Sequence, residues 1–240
     1  MKKSLFLLAA LILSSIFANH TFAADVYAEY KMTGMGNKPI LSKMYSKNGD
    51  FRTEVNMDIA GAKMNTITLM LKSKPNVVLV FNSLNKTYTE TKSTSATTAK
   101  NPDIKVIGNE KVGNYNCTRV KMTAEGKTWD IWYAKDLPAT NLPVTGNDGI
   151  VNQKIMAQLK SKGITGMPVK IVLYKPNTTA IMMTMLLTKY EQKTLASSLF
   201  TIPAGYSKNS MTIDADKMKN MTAKERKEMI MKMMKAQTKQ

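Results

Sequence analysis

The 240-residue sequence predicts a mainly antiparallel β protein of the α+β class. Short segments alternate apolar and polar residues, as in Phe51-Arg52-Thr53-Glu54-Val55, and this period of two is typical of strands with one wet face. Turn-forming residues separate the segments, most clearly at Asn48-Gly49. Helical patterns occur only over residues 149–162 and in the segment that follows residue 207. We therefore expect one sheet with few helices.

The first 23 residues predict a cleaved signal peptide. Lys2 and Lys3 precede an apolar run from Leu5 to Phe17, and small side chains follow at Thr21 and Ala23. A retained membrane helix is the alternative, but the run is shorter than the roughly 20 residues that a bilayer requires. We expect an exported, periplasmic protein that starts at about Ala24 and has no lipid anchor. Its domains are then 24–207 and a Met/Lys-rich helical extension, 208–240.

Six strands are expected in the first half of the chain. The run Val77–Phe81 is apolar at every position, so we expect both of its faces to be covered. A polar stretch, residues 91–100, then separates two halves of the sheet. The six strands are Val26 to Met32, Ile40 to Ser46, Phe51 to Met57, Met64 to Leu71, Val77 to Phe81 and Lys86 to Glu90.

The second half predicts a hairpin, a helix and two more strands. Asp148 can cap the helix and Gly163 can end it, and its apolar stripe is expected to cover the sheet. The last strand is apolar on both faces over residues 181–187, which again predicts cover. The hairpin joins Tyr115–Thr123 to Lys127–Ala134, the helix is Gly149 to Lys162 with Val151, Ile155, Met156 and Leu159 in its stripe, and the strands are Pro168 to Tyr174 and Thr179 to Tyr190.

The C-terminal extension begins with a capping box, in which Thr222 and Glu225 satisfy each other's backbone amides. The helix that follows carries Met229, Ile230, Met233 and Met234 on one side and lysines around the rest. Three roles stay open for this helix. It can lie on an anionic membrane surface, dock on an envelope protein, or fold back on its own domain.

A family resemblance rests on motifs in the second half of the chain. The pattern Gly108-x-Glu110-x-Val112-x-x-Tyr115-x-Cys117 precedes residues 129–133, then Asp136-Leu137-Pro138, and later Gly166-Met167-Pro168-Val169 and residues 199–206, LFTIPAGY. In this order they resemble a family of secreted bacterial domains of unknown function, over roughly residues 24–207. That family is similar in fold to the periplasmic carriers of the Lol lipoprotein-sorting pathway.

The resemblance implies a strongly curved half-barrel sheet, helices over its concave side and an apolar cavity between them. It implies no catalytic residues and no cofactor. Where the family has glycine directly before the tyrosine, this chain has Asn114, with Gly113 before it. Since asparagine tolerates positive φ better than most residues, we expect the turn to be kept.

Composition argues against several classes of function. The signal peptide contains His20, the chain's one histidine, so the mature protein lacks the commonest general base and metal ligand. Removal of Lys2 and Lys3 lowers the formal net charge from +18 to +16. This charge comes mainly from scattered lysines, without the arginine clusters that read bases and phosphates, so we expect no nucleic-acid partner. We also expect no enzymatic activity.

The rare residues fall in one stretch, residues 108–138. Cys117 is interpreted as a buried structural cysteine. The alternatives are a thiol that is redox-sensitive or pairs between chains, and a nucleophile. Trp129 and Trp132 point to opposite faces of one strand, so one is expected in the core while the other can line a cavity or rim. The stretch thus predicts a structural hairpin.

Methionine is unusually abundant, with 20 residues. The pattern allows a Cu(I) site of thioethers, a flexible lining for acyl chains, or plain core. We favour the lining, and hence a carrier or chaperone that binds an apolar or amphiphilic ligand such as lipid or lipoprotein acyl chains, in a cavity of about 300 Å3 or more. The alternative is an envelope interaction protein that acts through its basic C-terminal helix. Cavity candidates are Met57, Met70, Val80, Val120, Met122, Trp132, Met183 and Met185.

Overall fold

A computed structural model describes residues 25–34, 38–59, 62–75, 77–92, 101–124, 126–138 and 149–209, together with Thr222 and Glu225. The described strands form one open, curved sheet of twelve strands, and all but one of the pairings are antiparallel. The two chain halves meet where the strand Val26–Thr33 pairs with the strand Ile181–Gln192, and the sheet confirms the mainly antiparallel half-barrel.

The strands are β1 (Val26–Thr33), β2 (Ile40–Lys47), β3 (Asp50–Ile59), β4 (Ala62–Met70), β5 (Val77–Asn82), β6 (Thr87–Lys92), β7 (Asp103–Val112), β8 (Tyr115–Ala124), β9 (Lys127–Ala134), β10 (Met167–Tyr174), β11 (Ile181–Gln192) and β12 (Ser207–Lys208). Their order across the sheet is β12-β6-β5-β4-β3-β2-β1-β11-β10-β9-β8-β7. All of them except β7 and β12 follow the predicted segments closely. One α-helix, α1 (Gly149–Ser161), and a short 3-10 helix, Ser197–Phe200, complete the described elements.

Helix α1 packs on one face of the sheet, which we call the helix face. Ile155 and Leu159 are fully buried there against residues of β7 to β10, among them Val120 and Ile131. The helix ends as its sequence predicts. Gly163 has φ +67°, its amide donates to Lys160, and the amide of Ile164 donates to Leu159, which together form a Schellman motif.

The opposite face is covered at the other end of the sheet. Leu69, Leu79 and Phe81 of β4 and β5 are buried there beneath Leu195 and Phe200 from the segment after β11. Polar contacts from the first half of the chain hold this segment, among them the Lys47 ammonium, which donates to the carbonyl oxygen of Leu195. The Arg52 guanidinium donates to the carbonyl oxygen of Leu199, and the Asp25 carboxylate accepts from the Leu195 amide. This segment covers the side of the run Val77–Phe81 that carries Leu79 and Phe81. On the other side Val78 is buried and Val80 is half-buried, so the cover expected for both faces is complete on one face alone.

A central cluster joins the two halves. Tyr30 and Met44 from the first half pack in one buried cluster with Met167 and Trp132 from the second half. The Tyr30 hydroxyl donates to the carbonyl oxygen of Pro168 at 2.7 Å. Desolvation raises the pKa of Tyr30 above its ordinary value, as expected for a phenol without bulk water.

Two turns test the sequence predictions. Asn48 and Gly49 have φ +53° and +93°, which confirms the expected hairpin turn between β2 and β3. In the turn between β7 and β8, positive φ falls on Gly113 (+57°) rather than on Asn114. The turn is therefore kept as expected, but the preceding glycine takes positive φ instead of the asparagine.

Two predictions in the second half need correction. Strand β7 has no counterpart in the predicted segments, since of its residues only Ile104 is buried and a bulge between Val106 and Gly108 breaks the alternation. The expected cover over both faces of β11 is also wrong. Ile181, Met182 and Leu186 are 57%, 39% and 40% exposed.

Candidate functional site

A row of apolar side chains crosses six strands on the helix face. Residues that pair directly across antiparallel strands share a face, and the register joins them in one line. Burial is lower at the β2 end of this line than at the β8 end. Its first two members are completely buried and Ile171 is 7% exposed, whereas the last three are half-buried. The row is Val120, Ile131, Ile171, Met185, Met32 and Ile40.

Helix α1 accounts for the buried end of the row. The predicted cavity residues Val120 and Met122 are 0% and 1% exposed within the cluster around Ile155 and Leu159. Met183 and Met185 lie at the border of this cluster and are half-buried. The protein's own side chains thus fill the space beneath α1, and apolar side chains that are partly exposed begin at β11.

The open part of the helix face continues over β3, β4 and β5. Met57 pairs with Met64, and the predicted residues Met70 and Val80 have the same orientation because Phe51 pairs with Met70 and Thr68 pairs with Val80. These side chains are half-buried. The residues share the surface with threonines, so it combines flexible thioethers with hydroxyl groups. We call this surface the open trough; it consists of Met32, Ile40, Val55, Met57, Met64, Thr66, Thr68, Met70 and Val80.

Trp132 lies on the opposite face and does not join the other candidates. Its ring is 3% exposed, with the Arg119 guanidinium 4.9 Å and the Lys170 ammonium 4.4 Å from rings of the indole. Asp130, two positions away, accepts from Arg119 at 2.5 Å and from the Tyr174 hydroxyl at 3.1 Å. Both Trp129 and Trp132 are therefore covered, one by α1 and one by cations.

Cys117 is 1% exposed, and its thiol donates to the carbonyl oxygen of Tyr115 at 3.5 Å. Desolvation by burial raises the pKa of this thiol, which opposes formation of the reactive thiolate. A cavity of about 260 Å3 lies beside it. None of the predicted cavity residues lines it, so it is not the cavity that those residues were expected to form. Its lining is Asn109, Glu110, Lys111, Asn116, Cys117 and Lys135.

The C-terminal extension is described only at its capping box. Thr222 accepts from the Glu225 amide at 3.3 Å, and the Glu225 carboxylate accepts from the Thr222 amide at 2.6 Å, which confirms that motif. Met229, Ile230, Met233 and Met234 lie outside the described residues, as do the signal peptide and Asp148. Their roles stay predictions.

Neither a cluster of metal ligands nor a membrane-spanning helix is found in the described part of the chain. Among the side chains that the structure describes, no cluster of three or more His, Cys, Asp or Glu residues is placed to hold a metal ion. Over the same part of the chain, no helix has the length and apolar character needed to cross a membrane.

Comparison with known families shows which family the chain belongs to. The model of a domain of unknown function, DUF4412, matches residues 30–206. The chain belongs to the DUF4412 family. This match contains the sequence motifs that carried the resemblance, and the DUF4412 assignment confirms it. No curated protein matches the chain.

Solved structures similar to this DUF4412 chain are distant in sequence. An uncharacterized conserved protein from Thermus thermophilus has 11% identity and a TM-score of 0.52, with 84% of this chain and 99% of that chain covered. A LolA superfamily protein from Nitrosomonas europaea has 9% identity and a TM-score of 0.33, with 74% and 89% covered. PNGF-II has 16% identity and a TM-score of 0.47, with 82% and 33% covered. The first similarity establishes a shared fold.

Sequence reasoning missed several residues of the open trough. Met32 and Ile40 join it only through the pairing of β1 with β11 and β2, which unites residues about 150 positions apart along the chain. Thr66 and Thr68 were missed because threonine gives no apolar signal. The alternation within β3 and β4 was the available clue, since it placed both threonines on the same face as Met57 and Met70.

Proposed function

We propose that this protein is an exported, non-catalytic carrier or chaperone that binds an apolar or amphiphilic ligand, such as a lipid or lipoprotein acyl chain, in the open trough. The observation that carries the proposal is the gradient of burial along the six-strand row. Apolar side chains that are dry beneath α1 continue without a break into half-buried methionine, isoleucine and valine. An acyl chain can extend the core by lying along this row.

The chemistry of the trough fits an irregular chain. Methionine thioethers at 32, 57, 64 and 70 are unbranched and polarizable, so they adapt to a ligand of variable shape. Thr66 and Thr68 add hydroxyl groups that can contact an ester or amide at the ligand's polar end. The apolar part of the ligand gives affinity in this arrangement, and the hydroxyl groups fix its orientation.

The exported location of this carrier rests on the predicted signal peptide. The role without catalysis rests on a mature chain that has no histidine and a buried cysteine thiol whose pKa is raised. Both parts of the proposal can be checked on one preparation. Mature protein from the periplasm is expected to begin at Ala24 and to retain an extractable lipid, as measured by native mass spectrometry followed by solvent extraction.

A matched pair of variants tests the location of the ligand. Met57→Asp places a charge in the trough, whereas Asn56→Asp places the same charge one residue away on the other face of β3, where Asn56 is exposed. We expect Met57→Asp to weaken the binding of a dansylated undecanoic acid at least about tenfold, which corresponds to about 1.4 kcal/mol. Asn56→Asp should bind like the wild type.

Two outcomes contradict the proposal. A preparation without bound lipid that also fails to bind the dansylated fatty acid shows that the trough is not a ligand site. Equal weakening by the two variants shows that binding occurs elsewhere. Circular dichroism of both variants checks that the fold is kept.

A further inference from the structure

The face of the sheet opposite α1 carries exposed apolar side chains that the core does not use. Leu186 on β11 and Leu41 on β2 are 40% and 39% exposed. Lys31 on β1 pairs directly with both of them, so the three side chains form one row across three strands. Ile181 and Met182, 57% and 39% exposed, extend the apolar surface along β11. An ordinary sheet face turned to water has polar residues at such positions.

Cations surround these apolar side chains. Lys170 on β10 pairs with Leu186 on the side of β11 opposite to Lys31, and its ammonium group lies over the ring of Trp132. Lys31 is exposed and has no acidic partner among the residues that the structure describes. The row from β9 to β2 is therefore aromatic, basic, apolar, basic and apolar in turn: Trp132, Lys170, Leu186, Lys31 and Leu41.

The carboxylates of this face have partners within the protein. Glu29, two positions from Lys31 on β1, accepts a hydrogen bond from the Tyr27 hydroxyl and is in register with Lys43 and Lys189. Asp130 is buried against Arg119 and Tyr174. Glu191 lies between the ammonium groups of Lys189 and Lys193, at 2.8 and 2.6 Å. Lys31 and Lys170 have no ion pair among the described residues, so this face keeps positive charge beside Leu186 and Leu41.

We propose that this face docks on the surface of an anionic lipid bilayer. The docking patch consists of Leu41, Leu186, Ile181, Met182, Lys31 and Lys170. Its apolar side chains enter the boundary between headgroups and acyl chains, while the lysine stems extend so that their ammonium groups reach lipid phosphates. The patch lies on the opposite side of the sheet from the open trough. Docking therefore leaves the trough accessible, and the proposal is independent of ligand binding there.

The charge complementarity favours a bilayer over a protein partner. A lipid surface offers many phosphates in a plane and needs no shape match, which suits a row of lysines and leucines spread over neighbouring strands. A protein interface of ordinary size instead has a contiguous apolar centre from which charged residues are depleted. Here lysines alternate with the apolar residues.

The first test uses flotation of the full mature protein with vesicles. We expect binding to phosphatidylcholine vesicles that contain 30% phosphatidylglycerol, loss of binding as salt is raised, and no binding to pure phosphatidylcholine. The variant Leu41→Ser/Leu186→Ser should reduce binding at least about fivefold. Its matched control is Leu84→Ser/Ile202→Ser, which changes two leucine-like residues of similar exposure away from the patch and should bind normally.

The second test locates the contact within the chain. A single cysteine is introduced by Leu186→Cys, or by Leu84→Cys as control, and labelled with an environment-sensitive nitrobenzoxadiazole dye while the buried Cys117 stays protected. Emission from the dye at position 186 should shift to the blue when anionic vesicles are added, and emission from position 84 should not. This readout separates the patch from any contact made by the C-terminal extension.

The proposal is overturned if the wild type does not bind anionic vesicles, or if Leu41→Ser/Leu186→Ser binds as well as its control. Binding without a shift at position 186 also overturns it and assigns the contact to another part of the chain. Both leucines are exposed, so their replacement by serine should leave the thermal unfolding midpoint nearly unchanged.

Discussion

At the scale of single residues, buried polar side chains have a large effect on the stability of this protein. Asp130 is 1% exposed and is held by Arg119 and Tyr174, while one of its oxygens, Oδ1, has no partner among the described residues. Since a buried group without its partner pays the full cost of desolvation, removing the carboxylate leaves two donors unsatisfied. The ion pair is thus a requirement of the fold, with no role assigned to it in the trough.

We expect Asp130→Ala to lower the free energy of unfolding by about 3 kcal/mol, because it breaks a largely buried ion pair. Arg119 is one-third exposed, so water can solvate its charge when the carboxylate is removed. This keeps the loss of stability below the upper end of the usual range. Urea denaturation measures the change. Asp103→Ala, whose partner Lys105 is also exposed, should change stability by less than about 0.5 kcal/mol. Equal effects would contradict the assignment.

The buried tyrosines predict a loss of stability in alkali. Desolvation raises the pKa of Tyr30 and of Tyr133 above the ordinary value of about 10. The unfolded state then loses its phenolic protons first, so stability is complete below pH 10 and falls as pH rises above it. Tyr30→Phe removes one such group. From pH 9 to 11 we expect the variant to lose about 1.4 kcal/mol less than the wild type, measured by urea denaturation at both pH values.

At the scale of elements, turns and helix ends follow from local sequence, but close packing does not. Gly163 and Gly166 both have positive φ, +67° and +98°. A Cβ on Gly163 meets nothing within 4 Å, whereas one on Gly166 lies 1.9 Å from the Ala134 carbonyl oxygen. The first glycine ends α1, and the second lets the chain enter β10 directly against β9.

This difference predicts unequal costs for the same substitution. Gly163→Ala places alanine in the left-handed φ region without a clash, so it should lower the free energy of unfolding by about 1 kcal/mol. Gly166→Ala adds a clash with the backbone. It should lower the free energy of unfolding by about 3 kcal/mol or more, as severe core substitutions do, or prevent folding. Thermal and urea denaturation of the two variants compare them directly. Similar losses for both would contradict the close approach at Gly166.

The edge strand β7 shows the limit of pattern-based prediction for elements. Its pairing with β8 begins at the Gly113 turn and runs through ten residues, yet nine of the ten are not buried. Without a buried face there is no reason for alternation of apolar and polar residues. The turn and the partner strand, rather than its own side chains, specify this strand.

At the scale of the whole molecule, the central cluster makes one cooperative unit of two sequence halves. Tyr30 and Met44 contact the second half, and the segment that contains Leu195 and Phe200 returns to cover the first. Both tryptophans belong to the second half, in β9. Their fluorescence therefore reports on that half, while circular dichroism reports on all strands.

We expect the unfolding transitions measured by tryptophan fluorescence and by circular dichroism to coincide in urea. Phe200→Ala, far from both tryptophans in sequence, should shift both curves together and lower stability by about 3 kcal/mol, as buried aromatic truncations do. Two separated transitions, or a shift seen by circular dichroism alone, would show that the halves unfold independently.

Much of the described fold was predictable from sequence because its signals are local. Alternation located the strands β1 to β6 and β8 to β11, Asn48-Gly49 and Gly163 marked ends, and the stripe of α1 identified its buried side. A set of short motifs gave the family. These features depend on backbone preferences and on the periodic burial of residues a few positions apart. Both can be read from a short stretch of sequence.

The tertiary structure decided what lies next to what. Only the pairing of β1 with β11 unites Met32 and Ile40 with Met185. The position of α1 decides that Val120 and Met122 are buried core, whereas Met57 and Met70 stay half-buried. Trp132 likewise lies beneath Arg119 and Lys170 through pairing of distant strands. Sequence fixes the parity of each strand, but register between strands and the place of a covering helix depend on the balance of all contacts together.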